Sequence, residues 1–145
     1  MALNLVKLCV GVESIEHLQE SIDRKLVHKR TAGEEAIIFH ITRMFPKRAD
    51  ELVDGGSLYW VIKGNVQVRQ RIEEVRPVTD HSGVSRCKIV LRPKLVPTEW
   101  QPRRAFQGWR YLKDTDVPRD LKDVDSGVLS LPAELRRELA DLGLL

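Results

Sequence analysis

An α+β domain carrying a mainly antiparallel, strongly bent sheet is the fold this sequence predicts, on three observations. The hydrophobic period switches from strand-like to helical and back before Phe45. From Ser57 the period is two, broken only by glycine and turn residues. Connections in that second half are too short for crossover helices, so its strands should pair antiparallel. A small, partly open β-barrel with two or three flanking helices is the preferred form, since Gly64 interrupts the longest alternating run where a curling sheet would bend.

The elements follow in order. "LNLVKLCVGV" is apolar on both faces, which suits a strand inside the core. In "ESIEHLQESIDRKLVHKR", Ile15, Leu18, Ile22 and Leu26 recur at three- and four-residue steps, with charges elsewhere. This predicts an amphipathic helix of about four turns, with Ser14 as N-cap and Lys25, Lys29 and Arg30 at the negative end of its dipole. "AIIFHITRMF" is β-branched and aromatic, a second strand. Pro46 suits the first position of a short helix, "PKRADELVD", ended by Gly55 and Gly56.

From Ser57, Leu58, Trp60, Ile62, Val66, Val68 and Ile72 share one face; Tyr59, Val61, Lys63, Asn65, Gln67, Arg69 and Arg71 share the other. "TDHSG" supplies turn chemistry, and "VSRCKIVLR" alternates again, giving a long bent hairpin with a basic outer face. Beyond Pro93 three prolines predict irregular chain with one short strand near "GWRYL". "KDTDVPRDLKDVDSG" reads as an acidic connector, and a last helix should start near Pro132 and carry Leu135, Leu139 and Leu142 on its apolar side.

A chain of 145 residues suits one domain, so 1–145 is taken as a single unit. With 42% hydrophobic and 31% charged residues it belongs with globular rather than disordered chains. No run approaches the roughly 20 apolar residues of a membrane-spanning helix. Lys7 lies inside the opening apolar stretch and no small-residue cleavage site follows, which argues for a strand over a signal peptide and for a cytoplasmic location. Cys9 and Cys87 are too few for a disulfide framework or a metal site and read as buried thiols.

Charge is unevenly spread. Residues 1–56 carry 8 Lys/Arg against 9 Asp/Glu, residues 57–113 carry 12 against 4, and residues 114–145 carry 4 against 8. A basic middle can mark a polyanion-binding surface, unless the acidic end folds back and neutralises it.

Three constellations carry that idea. Lys63, Arg69, Arg71, Arg86, Lys88 and Arg92 should project from one side of the hairpin, where their field would attract phosphates; Glu73 and Glu74 are the residues best placed to cancel it. In "WQPRRAFQGWRY", Trp100, Phe106, Trp109 and Tyr111 interleave with Arg103, Arg104 and Arg110, the mixture single-strand binders use to stack bases and hold backbone. At least two of those rings should instead anchor the loop to the core. In "HITRMFPKR", Arg43, Lys47 and Arg48 crowd the start of a short helix, where basic residues are unfavourable unless an anion is received there. The question left open is whether Arg69 and Arg71 join Arg110 over one concave face.

Enzyme chemistry is thin. His17, His28, His40 and His81 are scattered, and no phosphate loop, nucleophile elbow or metal-ligand spacing occurs. His40 with Asp50 or Glu51 is the one acid–base pair to look for.

The stretches "VKLCVGV", "HITRMFPKRADELVDGGSLYWVIKG", "FQGWRYL" and "LPAELRRELADLGLL" resemble an uncharacterised alphaproteobacterial family, domain of unknown function 1489, over nearly the whole chain. That resemblance implies a bacterial source and carries over no activity and no site residues. A weaker likeness, in the order of parts, is to PUA and ASCH-type barrels, which implies RNA or modified-base binding; the glycine-lysine turn and Glu-x-Arg pair of the ASCH group are not matched at "GGSLYWVIKG". The expected function is a non-catalytic RNA- or nucleic-acid-binding module without cofactor or membrane partner. A protein-interaction or homodimer module is the alternative, and an enzyme acting on a nucleotide or RNA the third reading.

Overall fold

The computed structural model describes residues 3–121, so the helix expected near Pro132 and the end of the acidic connector, with Asp123 and Asp125, lie outside the described residues. β1 spans Leu3–Leu8, α1 Ile15–Thr31, β2 Ile38–Thr42, α2 Ala49–Val53, β3 Ser57–Ile62, β4 Asn65–Thr79, β5 Ser85–Leu91, β6 Val96–Pro102 and β7 Trp109–Lys113. The strands form one mixed sheet in the order β2-β5-β4-β3-β1-β7, with β6 against β4 off that path. Among the described strands only β1 and β3 run parallel. Among the described strands β2 and β7 end the path without pairing with each other, so the sheet is bent, as expected from sequence, and does not close into a barrel.

β4 explains the bend. Its first half pairs β3 through Asn65–Arg71, and its second pairs β5 through Ile72–Thr79, with a bulge between Ile72 and Glu74. β6 also runs antiparallel to the first half, from Arg69↔Val96 to Asn65↔Pro102. The extra bulge residue increases local twist, so the two halves of β4 serve differently inclined strands.

α1 begins where sequence placed it: the Ser14 hydroxyl accepts the His17 N–H at 3.1 Å, filling one of the open donors of the first turn. Leu18 and Ile22 are buried against the sheet, packing on Leu5, Leu58, Trp60, Ile62, Ile72, Cys87 and Ile89. Each such side chain contributes roughly 1.5–3 kcal/mol on burial. The reverse face holds a smaller cluster of Val6, Tyr59, Val61, Val66 and Leu112, against which Phe106 and Val117 lie.

Four expectations are corrected. Gly64 does not kink one continuous strand. Lys63 and Gly64, at φ 47° and 85°, form the two-residue loop that joins β3 to β4, because both positions of such a turn take left-handed backbone. Val66 therefore faces the reverse cluster instead of sharing a side with Leu58, and a register shift between Trp60 and Val61 restores the alternation by Val68. The helix expected from Pro46 starts later, at Ala49, with Arg48 at its cap and no side-chain capping bond. "VPTEWQP", expected to be irregular, is the strand β6; its prolines stand at its second and last positions.

The stop after α2 is as expected. Gly55 takes φ 97°, and the Gly56 N–H donates to the Leu52 carbonyl at 2.9 Å. A Cβ on Gly56 would lie 2.1 Å from the Leu3 carbonyl oxygen and 2.4 Å from that of Leu52. Only glycine lets the chain pass from α2 into β3 at that distance, and this close passage seats β3 beside β1.

Candidate anion-binding surface

Of the six cations expected on the outer face of the β4–β5 hairpin, Lys63, Arg69, Arg86 and Arg92 meet a counter-charge, whereas Arg71 and Lys88 take part in no ion pair among the described residues. Arg69 donates to both carboxylate oxygens of Asp120, at 2.8 and 2.7 Å, and to the Ser57 hydroxyl at 2.9 Å. Arg86 donates to Asp80 at 3.1 Å. Asp80 is held down to about 2, first by the Val84 N–H and then by Ser82 and Arg86. Arg92 pairs with Glu73 and Arg76 with Glu74, while Lys63, moved into the turn, lies 3.6 Å from Glu13. Lys88 and Lys29 each hold an ammonium group 4.1 Å from the centroid of the Phe39 ring. Arg71 is half-buried, and its Nε has no hydrogen-bond partner among the described residues. The acidic connector thus reaches back to the hairpin through Asp120.

Register answers the question about Arg110. Arg69, Tyr59, Val6 and Arg110 stand side by side across β4, β3, β1 and β7 on the reverse face. Three strand spacings separate the two arginines, about 14 Å, with buried Tyr59 and Val6 between them. Arg69 and Arg110 share a face, but Arg69 lines neither of the grooves that Arg110 lines.

The border of β7 is different. On the α1 side a groove of about 560 Å³ is lined by Lys7, Arg43, Arg110, Trp109, Met44 and Ile41, among others. On the reverse side a groove of about 600 Å³ is lined by Arg103, Arg104, Arg110, Phe106, Tyr111 and Val6, among others. Among the described residues neither lining contains an aspartate or glutamate. Lys7, Arg43, Lys47, Arg103, Arg104 and Arg110 take part in none of the ion pairs among the described residues.

Local chemistry builds this border. The Trp109 indole N–H donates to the Met44 carbonyl at 2.9 Å, and the Tyr111 hydroxyl accepts the Arg48 N–H at 3.1 Å, so two β7 residues tether the segment between β2 and α2. That tether brings Arg43 beside Arg110. Arg48 itself is spent on Glu51, donating to it at 2.8 Å. Of the aromatic residues, Trp60, Trp100 and Trp109 are buried core anchors; Phe106 is half-buried under the Arg110 guanidinium at 5.5 Å, and Tyr111 is 37% exposed.

The structure therefore gathers Arg43, Arg103, Arg104 and Arg110 around β7, leaves Lys63, Arg69, Arg86 and Arg92 paired elsewhere, and commits Trp109 to packing. Sequence reading missed Lys7, whose only signal was a lone charge inside an apolar strand. In register it stands between Trp60 and Trp109.

The acid–base pair does not form. His40 lies edge-on to Trp60 at 5.4 Å, in a cavity that neither Asp50 nor Glu51 lines. Among the described residues no three His, Cys, Asp or Glu side chains are grouped to hold a metal ion. Nor is any described helix long and apolar enough to cross a membrane.

A family model described as "Protein of unknown function (DUF1489)" matches residues 5–145. No curated protein and no solved structure matches the chain.

Proposed function

The chain belongs to that family, whose description assigns no activity, and we propose from its own residues that it is a non-catalytic binding module for single-stranded RNA, engaged along the border of β7 rather than on the hairpin. What carries the reading is the pair of grooves on either side of β7, lined by four arginines and Lys7 and, among the described residues, by no carboxylate. Cations without counter-charges release the ions condensed on a phosphate backbone when they replace them, and paired ones contribute far less. Tyr111 and Phe106, each beside an arginine, offer rings on which bases can stack.

Fluorescence anisotropy with a labelled oligouridine tests it. Replacing Arg43, Arg103, Arg104 and Arg110 together by Gln is expected to lower affinity at least about tenfold and to flatten the salt dependence by roughly 0.7 for each phosphate that is no longer neutralised. Replacing Arg69, Arg86 and Arg92 together by Gln is expected to change affinity less than about twofold, since those charges are already compensated. Absent binding at low salt, or equal losses from both sets, overturns the reading.

A further inference from the structure

Beneath α1 lies a cavity of about 260 Å³, more enclosed than either groove beside β7. Its walls are largely apolar, with Leu18 and Ile22 from the helix facing Ile38, Trp60 and Leu91 from the sheet. Lys7, Ser21, Lys25, His40 and Gln70 bring polar groups to it, and among the described residues no aspartate or glutamate lines it.

Gln70 accepts the Trp60 indole N–H at 2.8 Å and donates to the Arg92 carbonyl at 2.8 Å, which locks the Trp60 ring in the wall. Burial, then Lys7 and Lys25, pull His40 down to about 4, so its imidazole is neutral and offers a hydrogen bond without charge. Burial pushes the Cys9 thiol up to about 11, which leaves it protonated and unsuited to attack. Lys7 and Lys25 thus border the same cavity, and among the described residues no acidic side chain lines it.

We propose that this cavity is a binding site for a small carboxylate with an apolar or aromatic body, the carboxylate held by Lys7 and Lys25 and the body lying on the Trp60 wall. Pockets for drug-sized ligands measure roughly 300–1,000 Å³, so the occupant is smaller than those. The site does not depend on RNA binding, although Lys7 also lines the adjoining groove.

The test titrates the full chain with benzoate and, in parallel, with its neutral analogue benzamide, following the Trp60 indole signal in proton–nitrogen correlation spectra. Benzoate is expected to shift that signal saturably and to bind at least about tenfold more tightly than benzamide, as a charge-assisted contact requires. Lys25→Met, a change at an exposed helix position where the fold is expected to hold, should remove most of that preference. Lys7→Met should do the same, with spectra away from the cavity unchanged. Equal binding of benzoate and benzamide, shifts at Trp109 with none at Trp60, or an undiminished preference in Lys25→Met overturns the proposal.

Discussion

Arg69, Arg86 and Arg92 on the β4–β5 hairpin each meet a carboxylate, whereas Arg43, Arg103, Arg104 and Arg110 around β7 meet none among the described residues. Counted along the chain, the hairpin looked the stronger cationic feature. Paired, it becomes a set of partly exposed ion pairs, each typically worth 0–1 kcal/mol and presenting little net field. The contrast shows that charge density in a sequence becomes a surface potential only after pairing, and pairing depends on which carboxylates the fold returns.

The two regions should also answer to different variables. Arginine stays protonated throughout the working range, so the β7 border should respond to salt and hardly to pH. The hairpin side includes β2, where His40 stands opposite Ile89 of β5. The unfolded chain protonates that imidazole near 6.5 and the folded one near 4. A base held below its unfolded value lends its full stabilisation above about pH 6.5 and loses it progressively down to about pH 4. Discounted for partial exposure, the expected loss is about 2 kcal/mol, read by urea unfolding across that window. His40→Gln should remove the slope. RNA affinity that follows the same pH curve in His40→Gln would break the comparison, because it would place a titrating group at the β7 border.

Next in size is Asp120→Asn, which strips Arg69 of its bidentate partner and should cost about 1 kcal/mol in thermal or urea unfolding. RNA affinity should stay unchanged within about twofold, since roughly 14 Å separates Arg69 from Arg110 and the screening length at physiological salt is about 8 Å. A clear gain in affinity would extend the binding path across the reverse face. Smallest is the joint replacement of Arg48 and Glu51 by Ala. Their side chains are 52% and 48% exposed, so stability should move by only a few tenths of a kcal/mol and RNA binding not at all.

Much of the fold was legible in local pattern. The three- and four-residue spacing of Ile15, Leu18, Ile22 and Leu26 gave α1, Ser14 its start, and Asp80 to Gly83 the second turn. The first turn was hidden because Lys63–Gly64 lacks the Asn-Gly or Asp-Gly signature of its type, and the chain on both sides alternates as one strand would. β6 was hidden by its prolines. In the site, Glu73 and Glu74 could be suspected from proximity in sequence, but Asp120 reaches Arg69 across 51 positions, a pairing no local period reveals. The nearness of Lys7 and Arg110 likewise follows from β1 and β7 being neighbours, which is a matter of topology.

That neighbourhood has a kinetic side. Asn4 of β1 bonds the Asp114 side chain, 110 positions away, just beyond β7. On its other flank β1 waits for β3, and the Ser57 N–H donates to the Asn4 side chain across 53 positions. During synthesis β1 thus emerges early and stays open along one edge until nearly everything else described has been made, the long-separation closure that slows folding and leaves an apolar strand exposed meanwhile. Lys7, a single charge set in that strand, is the kind of residue that discourages such an edge from pairing with another chain before β7 arrives.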